Sequence, residues 1–141
     1  MGLDAICNDI MIKCGSYNNV TTMHTDLICA LKSYLELEAI IDQKSKDQMI
    51  DILVKVLNDD NELYRTLNHC CFKKYFSPYD LDGFFPFLAI VDYGCMTPYE
   101  SRKFLKTYKI VKDHLNSRRE RIVFERVLTE SIKTSQNVQF I

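Results

Sequence analysis

Apolar residues recur along this chain at helical spacing. Leu3, Ile6, Cys7, Ile10, Met11 and Cys14 follow i, i+3, i+4, i+7 intervals, and Gly15 closes the series where a helix-ending glycine belongs. The spacing predicts a first helix over 3–14, then a polar connector over 16–22. Met23, Leu27, Ala30, Leu31, Tyr34 and Leu35 form a second stripe, ending near Ile41. Ser45-Lys46-Asp47-Gln48 has the form of a capping box ahead of a third, Met49, Ile50, Leu53, Val56 and Leu57. After the break at 58–61, Leu63, Tyr64, Leu67, Cys70, Cys71 and Tyr75 mark a fourth helix. Ser77-Pro78-Tyr79-Asp80 is a loop, because a proline pushes the residue before it out of the helical region.

The fifth element is different in kind. Residues 84–91, Phe-Phe-Pro-Phe-Leu-Ala-Ile-Val, form an unbroken apolar run between Gly83 and Asp92. A helix apolar all round sits at the centre of a bundle or in a membrane. This run is far shorter than the ~20 residues that span a bilayer. A buried central helix is expected, with Pro86 near its first turn and Gly94 at its end. Thr97-Pro98-Tyr99-Glu100 combines an N-cap, a first-position proline and a capping-box glutamate, the strongest helix start in the chain. Phe104, Leu105, Tyr108, Val111 and Leu115 line the sixth helix. Ser117 and Glu120 repeat the box before a last one bearing Val123, Phe124, Val127, Leu128 and Ile132. No strand alternation or internal repeat stands out, and the chain reads as all-α.

Composition narrows the function classes. At 141 residues, 47% apolar and 26% charged, residues 1–141 are expected to form one globular domain. The net charge of −1 supplies no field to draw the protein to nucleic acid or anionic lipid. Four glycines and three prolines are too few for a turn-rich sandwich or barrel. The opening Met1-Gly2-Leu3-Asp4 has no signal-peptide character, and Ile6 stands where myristoylation wants Ser or Thr. The polar 135–141 segment cannot anchor a membrane, so no direct anchor is expected. Six cysteines without a secretion signal read as reduced thiols, mostly small hydrophobes, and the sequon Asn19-Val20-Thr21 carries no weight.

Candidate chemistry is sparse. His69-Cys70-Cys71 fits no zinc spacing, since consecutive helical residues diverge by about 100°. A cysteine–histidine nucleophile there lacks an orienting group. Asp80-x-Asp82-Gly83 starts like a calcium loop, but Pro86 interrupts it and Val91 stands at its twelfth position. Arg118-Arg119-Glu120-Arg121 is a solvated basic face, and Glu36 and Glu38 lie on different helix faces. No metal, no cofactor and no enzymatic activity are expected.

Residues 80–95 resemble the first homology motif of the Bcl-2 family. That motif runs Asp-Gly-Val-Asn-Trp-Gly-Arg, then an apolar stretch containing Ala, then an acidic residue, an aromatic and Gly. Asp80, Ala89, Asp92, Tyr93 and Gly94 fall in register, and Phe84 takes the tryptophan's place. Residues 3–17 resemble the family's first helix. The departures are Pro86 in place of the family's arginine, Arg-Arg-Glu-Arg where the second motif has Gly-Gly-Trp, and Leu31-x-x-x-Leu35-Glu36 where the third has Leu-x-x-x-Gly-Asp. Eroded motifs of this kind are similar to those of virus-encoded members.

The resemblance implies a Bcl-2-like bundle of seven or so amphipathic helices around a central apolar helix. It also implies an anti-apoptotic, virus-encoded protein in the host cytoplasm, reaching mitochondria through its partners. Its mechanism would be to sequester the Bcl-2 homology domain 3 helix of pro-apoptotic proteins in a hydrophobic groove. Here that groove is expected to draw on Leu53, Leu57, Leu67, Cys71, Tyr75, Gly83, Phe84, Phe85, Pro86 and Phe87. With Pro86 leaving the ligand's aspartate unpaired, a narrow ligand range follows. Two alternatives stay open: a Bcl-2-fold inhibitor of innate-immune signalling acting through surface contacts, or a self-associating structural helical protein. A homodimer built on exposed aromatics such as Phe76 and Tyr79 is a further expectation.

Overall fold

Residues 2–16 form a β-hairpin, not a helix. In the computed structural model, which describes residues 2–58, 73–88, 90, 93–115 and 118–141, strands β1 (Gly2–Cys7) and β2 (Ile10–Ser16) pair antiparallel. The apolar residues of this stretch fit a period of 3.6, but burial follows a period of 2. Leu3, Ala5 and Cys7 are buried, while Asp4 and Ile6 between them stay partly open. Asn8 turns the chain with φ 54°, a left-handed conformation that asparagine tolerates. Gly15, at φ 97°, is not a helix cap. It lies at a bulge, where the register slips between Leu3 and Asp4 and leaves Cys14 as the extra residue on β2.

Two short strands complete a sheet of order β2-β1-β4-β3, antiparallel throughout. They are β3 (Gly94–Met96) and β4 (Val138–Phe140). β4 comes from the polar end segment, where only Val138 and Phe140 point inward and Gln139 is exposed. The protein is therefore mixed α/β, and the expected all-α Bcl-2-like bundle is overturned. Hairpin and end segment meet in one sheet because Ala5 pairs with Phe140 and Ile6 with Gln139.

The helices cover one side of that sheet. They are α1 (Tyr17–Leu37), α2 (Gln43–Asn58), the single turns α3 (Lys73–Phe76) and α4 (Phe85–Leu88), α5 (Pro98–Val111) and α6 (Arg118–Thr134). Both α1 and α6 lie against β1 and β2, α5 packs along α6, and α2 packs on α1. α1 begins directly after β2 and absorbs the expected polar connector. α2 starts earlier than the Ser45 box suggested, because Asp42 Oδ2 accepts the Ser45 backbone N–H at 3.0 Å. The Thr97 box forms as read: its side chain accepts from Glu100 N at 3.1 Å, and Glu100 Oε1 accepts from Thr97 N at 2.9 Å. Serine–serine contact joins α5 to α6, with Ser101 Oγ donating to Ser131 Oγ at 3.3 Å and Ser131 Oγ donating to the Gln136 carbonyl at 2.6 Å.

The apolar run is central, but it is not a long helix. Among its described residues only 85–88 are helical, and Ile90 N donates to Phe87 O at 3.0 Å. Phe87 is the hub. Its ring meets His24 of α1 at 4.9 Å, Phe124 of α6 at 4.9 Å, Phe140 of β4 at 5.7 Å and Phe104 of α5 at 6.1 Å, all edge-on or tilted. Phe84 lies 4.9 Å from Phe104, and Phe85 lies 5.0 Å from Phe76. A segment surrounded on every side must be apolar on every side, whatever its backbone conformation.

Gly83 docks this run onto α5. Its N–H donates to Thr107 Oγ1 at 2.9 Å, and that hydroxyl donates to the Asp80 carbonyl at 2.6 Å. A Cβ on Gly83 would stand 2.0 Å from the Lys103 carbonyl oxygen and 2.5 Å from Thr107 Oγ1. The first of these is backbone and cannot swing aside. Gly83→Ala is therefore expected to lower unfolding free energy by about 2–3 kcal/mol, read from urea denaturation. A loss under about 0.5 kcal/mol would contradict this close approach.

Candidate functional site: the open face of the sheet

The residues expected to form a ligand groove differ in burial. Leu53, Gly83, Phe84, Phe85 and Phe87 are buried, and all the apolar ones belong to the core cluster. Leu57 and Tyr75 are half-buried against that core. Leu67 and Cys71 lie outside the described residues. Pro86 lines a surface depression. Phe76 is wholly buried, so it cannot present itself to a second copy as the sequence suggested.

Burial also governs the titration of His24. The imidazole is 5% exposed and meets the Phe87 ring edge-on at 4.9 Å. Desolvation pushes its pKa from 6.5 down to about 4, with a hydrogen bond to the Phe87 backbone working weakly the other way. The fold holds it neutral at physiological pH.

The depression beside Pro86 has a volume of about 420 Å³ and is also lined by Asp82, Thr97, Tyr99, Glu100 and Lys103. Lys103 Nζ donates to Asp82 Oδ2 at 2.7 Å and lies 5.8 Å from the centre of the Tyr99 ring. The Asp82 hydrogen bond pushes the lysine's pKa up. Thr97 and Glu100 cap each other. The Lys103–Asp82 pair thus ties the 80–86 segment to α5, while Thr97 and Glu100 are committed to capping that helix. Among the described residues no group of His, Cys, Asp or Glu gathers into a possible metal site.

The outer face of the sheet is the more informative surface. Strand register puts two rows of side chains on it. In one row Met11 of β2, Ile6 of β1, Gln139 of β4 and Cys95 of β3 stand side by side. In the next, Lys13 faces Asp4, and Asp4 exchanges backbone hydrogen bonds with Ile141 at 2.7 and 3.0 Å. Tyr93 comes just before β3 and Ile141 just after β4, next to the paired Gly94 and Phe140. Met11 is 60% exposed, Ile141 60% and Tyr93 78%.

Alternation in a half-buried antiparallel sheet puts polar residues outside. Here five of those eight outward positions are apolar: Ile6, Met11, Tyr93, Cys95 and Ile141. The two charges, Asp4 and Lys13, sit opposite each other in register. No helix among the described residues crosses this face, and none of them is long and apolar enough to cross a membrane.

No family model, curated protein or solved structure matches this chain. Functional argument therefore rests on its own surfaces. Helical reading of 3–14 hid the outer row, because it put Ile6 and Met11 on the buried stripe. The available signal was Leu3-Asp4-Ala5-Ile6-Cys7 ending at Asn8-Asp9, a short segment bounded by turn residues.

One titration follows from the His24 site. As pH falls from 7, unfolded chains take up the imidazole proton near 6.5 and folded ones only near 4. Stability is complete above about pH 7 and declines through that window, by roughly 2 kcal/mol at pH 5. Urea midpoints measured at both pH values, with His24→Gln as comparison, check this. Equal pH dependence in protein and variant would assign it to other groups.

Proposed function

We propose that this protein acts by non-covalent protein binding, through the outer face of its sheet. The observation that carries the reading is the apolar excess on that face. Single exposed apolar residues are ordinary, but several gathered on one sheet face mark an interaction surface. The surface is also rigid. Each of its strands is hydrogen-bonded in the sheet, and the inner side chains Leu3, Ala5, Met96, Val138 and Phe140 are fully buried. Four anchors such as Ile6, Met11, Tyr93 and Ile141, at ~1.5–3 kcal/mol each, supply roughly 6–12 kcal/mol gross. Association costs consume an estimated 4–15 kcal/mol, so the affinity is modest and the contact exchangeable.

The finer reading implied by the Bcl-2 resemblance asked for a trough between helices. Of its residues Leu53, Phe84, Phe85 and Phe87 lie in the core here, and binding in the sense of surface contact is what carries forward. Pro-apoptotic homology-domain-3 peptides titrated calorimetrically are expected to give no heat of binding. Saturable micromolar binding, lost in Leu57→Glu, would restore the groove.

The outer face itself is tested by quantitative capture from cell extract, comparing the native chain with Met11→Glu, Tyr93→Ser and, as a distant exposed control, Ile40→Glu. Loss of the same captured proteins in the first two but not the third is expected. Captured sets identical in all four exclude this face as the interface.

A further inference from the structure

We infer that the free edge of β3 and the depression beside Pro86 form one binding site, which takes an extended peptide segment carrying an arginine. This site is separate from the outer face and stands even if the reading of that face fails.

Hydrogen-bond direction shows what the edge offers. Asp4 and Ile141 exchange both backbone hydrogen bonds, at 2.7 and 3.0 Å. Backbone groups alternate in direction along an antiparallel strand. Gln139 therefore turns its own towards β1, as Ile141 does, while Val138 and Phe140 turn theirs towards β3. Their partners Met96 and Gly94 are thereby committed to β4. Cys95, between them, directs its N–H and C=O to the open side, where no strand among the described residues pairs with it. Two residues on, Thr97 is already engaged: its N–H donates to Glu100 Oε1 at 2.9 Å, and its carbonyl accepts from Ser101 N at 2.9 Å. The edge thus presents one donor and one acceptor at Cys95, then runs into the cap of α5.

The two edges of the sheet are guarded differently. β2 carries Lys13 in mid-strand and a bulge at Cys14–Gly15, and both devices oppose strand addition. β3, Gly-Cys-Met, carries no charge and no bulge. Its shortness limits an incoming strand to very few backbone bonds, so most of the selectivity must come from a pocket beside it. Strand-addition sites work in this way, with main-chain bonds holding the peptide and pockets choosing its side chains.

Such a pocket adjoins the edge. Thr97, ~7 Å along the strand direction from Cys95, lines the depression. A peptide residue within two positions of the one paired with Cys95 therefore stands at its rim. The volume of about 420 Å³ lies within the range of ligand pockets. Pro86 and the Tyr99 ring, a residue 63% exposed, give it an apolar wall. Asp82 and Glu100 set two carboxylates against the single ammonium of Lys103, which leaves one negative charge over. Each carboxylate uses one oxygen internally, Asp82 Oδ2 for Lys103 and Glu100 Oε1 for Thr97, and keeps a second. An arginine matches this lining. Its stem packs on Pro86, its plane stacks on Tyr99, and its forked donors reach carboxylate oxygen. A glutamate would face two like charges instead.

The test is a titration of the whole chain with a blocked Thr-Val-Arg-Val-Thr peptide, followed by amide ¹H–¹⁵N shifts. Saturable shifts are expected at Cys95, Tyr99 and Lys103. Glu in place of the peptide's Arg, or N-methylation of its valines, should each weaken binding by about tenfold. Tyr99→Ala should weaken it by roughly threefold or more with melting unchanged. Glu100→Gln retains a side chain able to cap α5, and should shrink the preference for Arg over Leu in the peptide. Met11→Glu, on the outer face, should bind like the native chain. No shift at millimolar peptide overturns the inference, and so does equal affinity for the Arg and Glu peptides. Indifference to N-methylation excludes the strand edge. Shifts gathered at Met11 and Gln139 instead would move the contact to the outer face and overturn this site.

Discussion

One aromatic ring ties every layer of this fold together. Phe87 touches α1, α5, α6 and β4, and it does so from a helical element of a single turn. A short segment can occupy that position only if something else fixes its orientation. Gly83 does this upstream, where the absence of a Cβ lets the backbone approach the Lys103 carbonyl and donate to Thr107. The Asp82–Lys103 ion pair sits at the same junction, with the aspartate almost wholly buried. The core thus depends on an anchored loop rather than on a long central helix.

That arrangement gives residues of the motif-like stretch over 80–95 duties within the fold itself. Asp80, Gly83 and Phe84 have local structural duties: a carbonyl for Thr107, a close approach to α5 and a ring against Phe104. Residues of these types recur wherever an apolar run must be pinned between a turn and a helix.

The helices were legible where local chemistry and packing agree. Thr97-Pro98-Tyr99-Glu100 forms the cap its residues announce, and the stripes of α1, α2, α5 and α6 face the core. The strands were not. The apolar residues of 3–14 fit a helical period, and hydrogen bonding to β4, more than a hundred residues away, fixes a strand instead. β4 itself offers only Val138 and Phe140, too short an alternation to declare itself. The centre of the molecule was legible as buried, because burial on all sides leaves a compositional mark; its backbone conformation was not, because eight apolar residues specify neither helix nor loop. The candidate face was hidden by the same error of period, since only a two-residue repeat turns Ile6 and Met11 away from Leu3 and Cys7.

The two sides of the sheet answer to different constraints. On the inner side Leu3, Ala5, Val138 and Phe140 are needed to cover the aromatic cluster, and their apolar character follows from the fold. On the outer side the fold makes no such demand. Lys, Thr or Glu at Met11, Tyr93 or Ile141 would leave the pairing intact and make the surface more soluble. Apolar residues standing where the fold does not require them are the part of this chain that folding alone does not explain, and for that reason function is sought on that face.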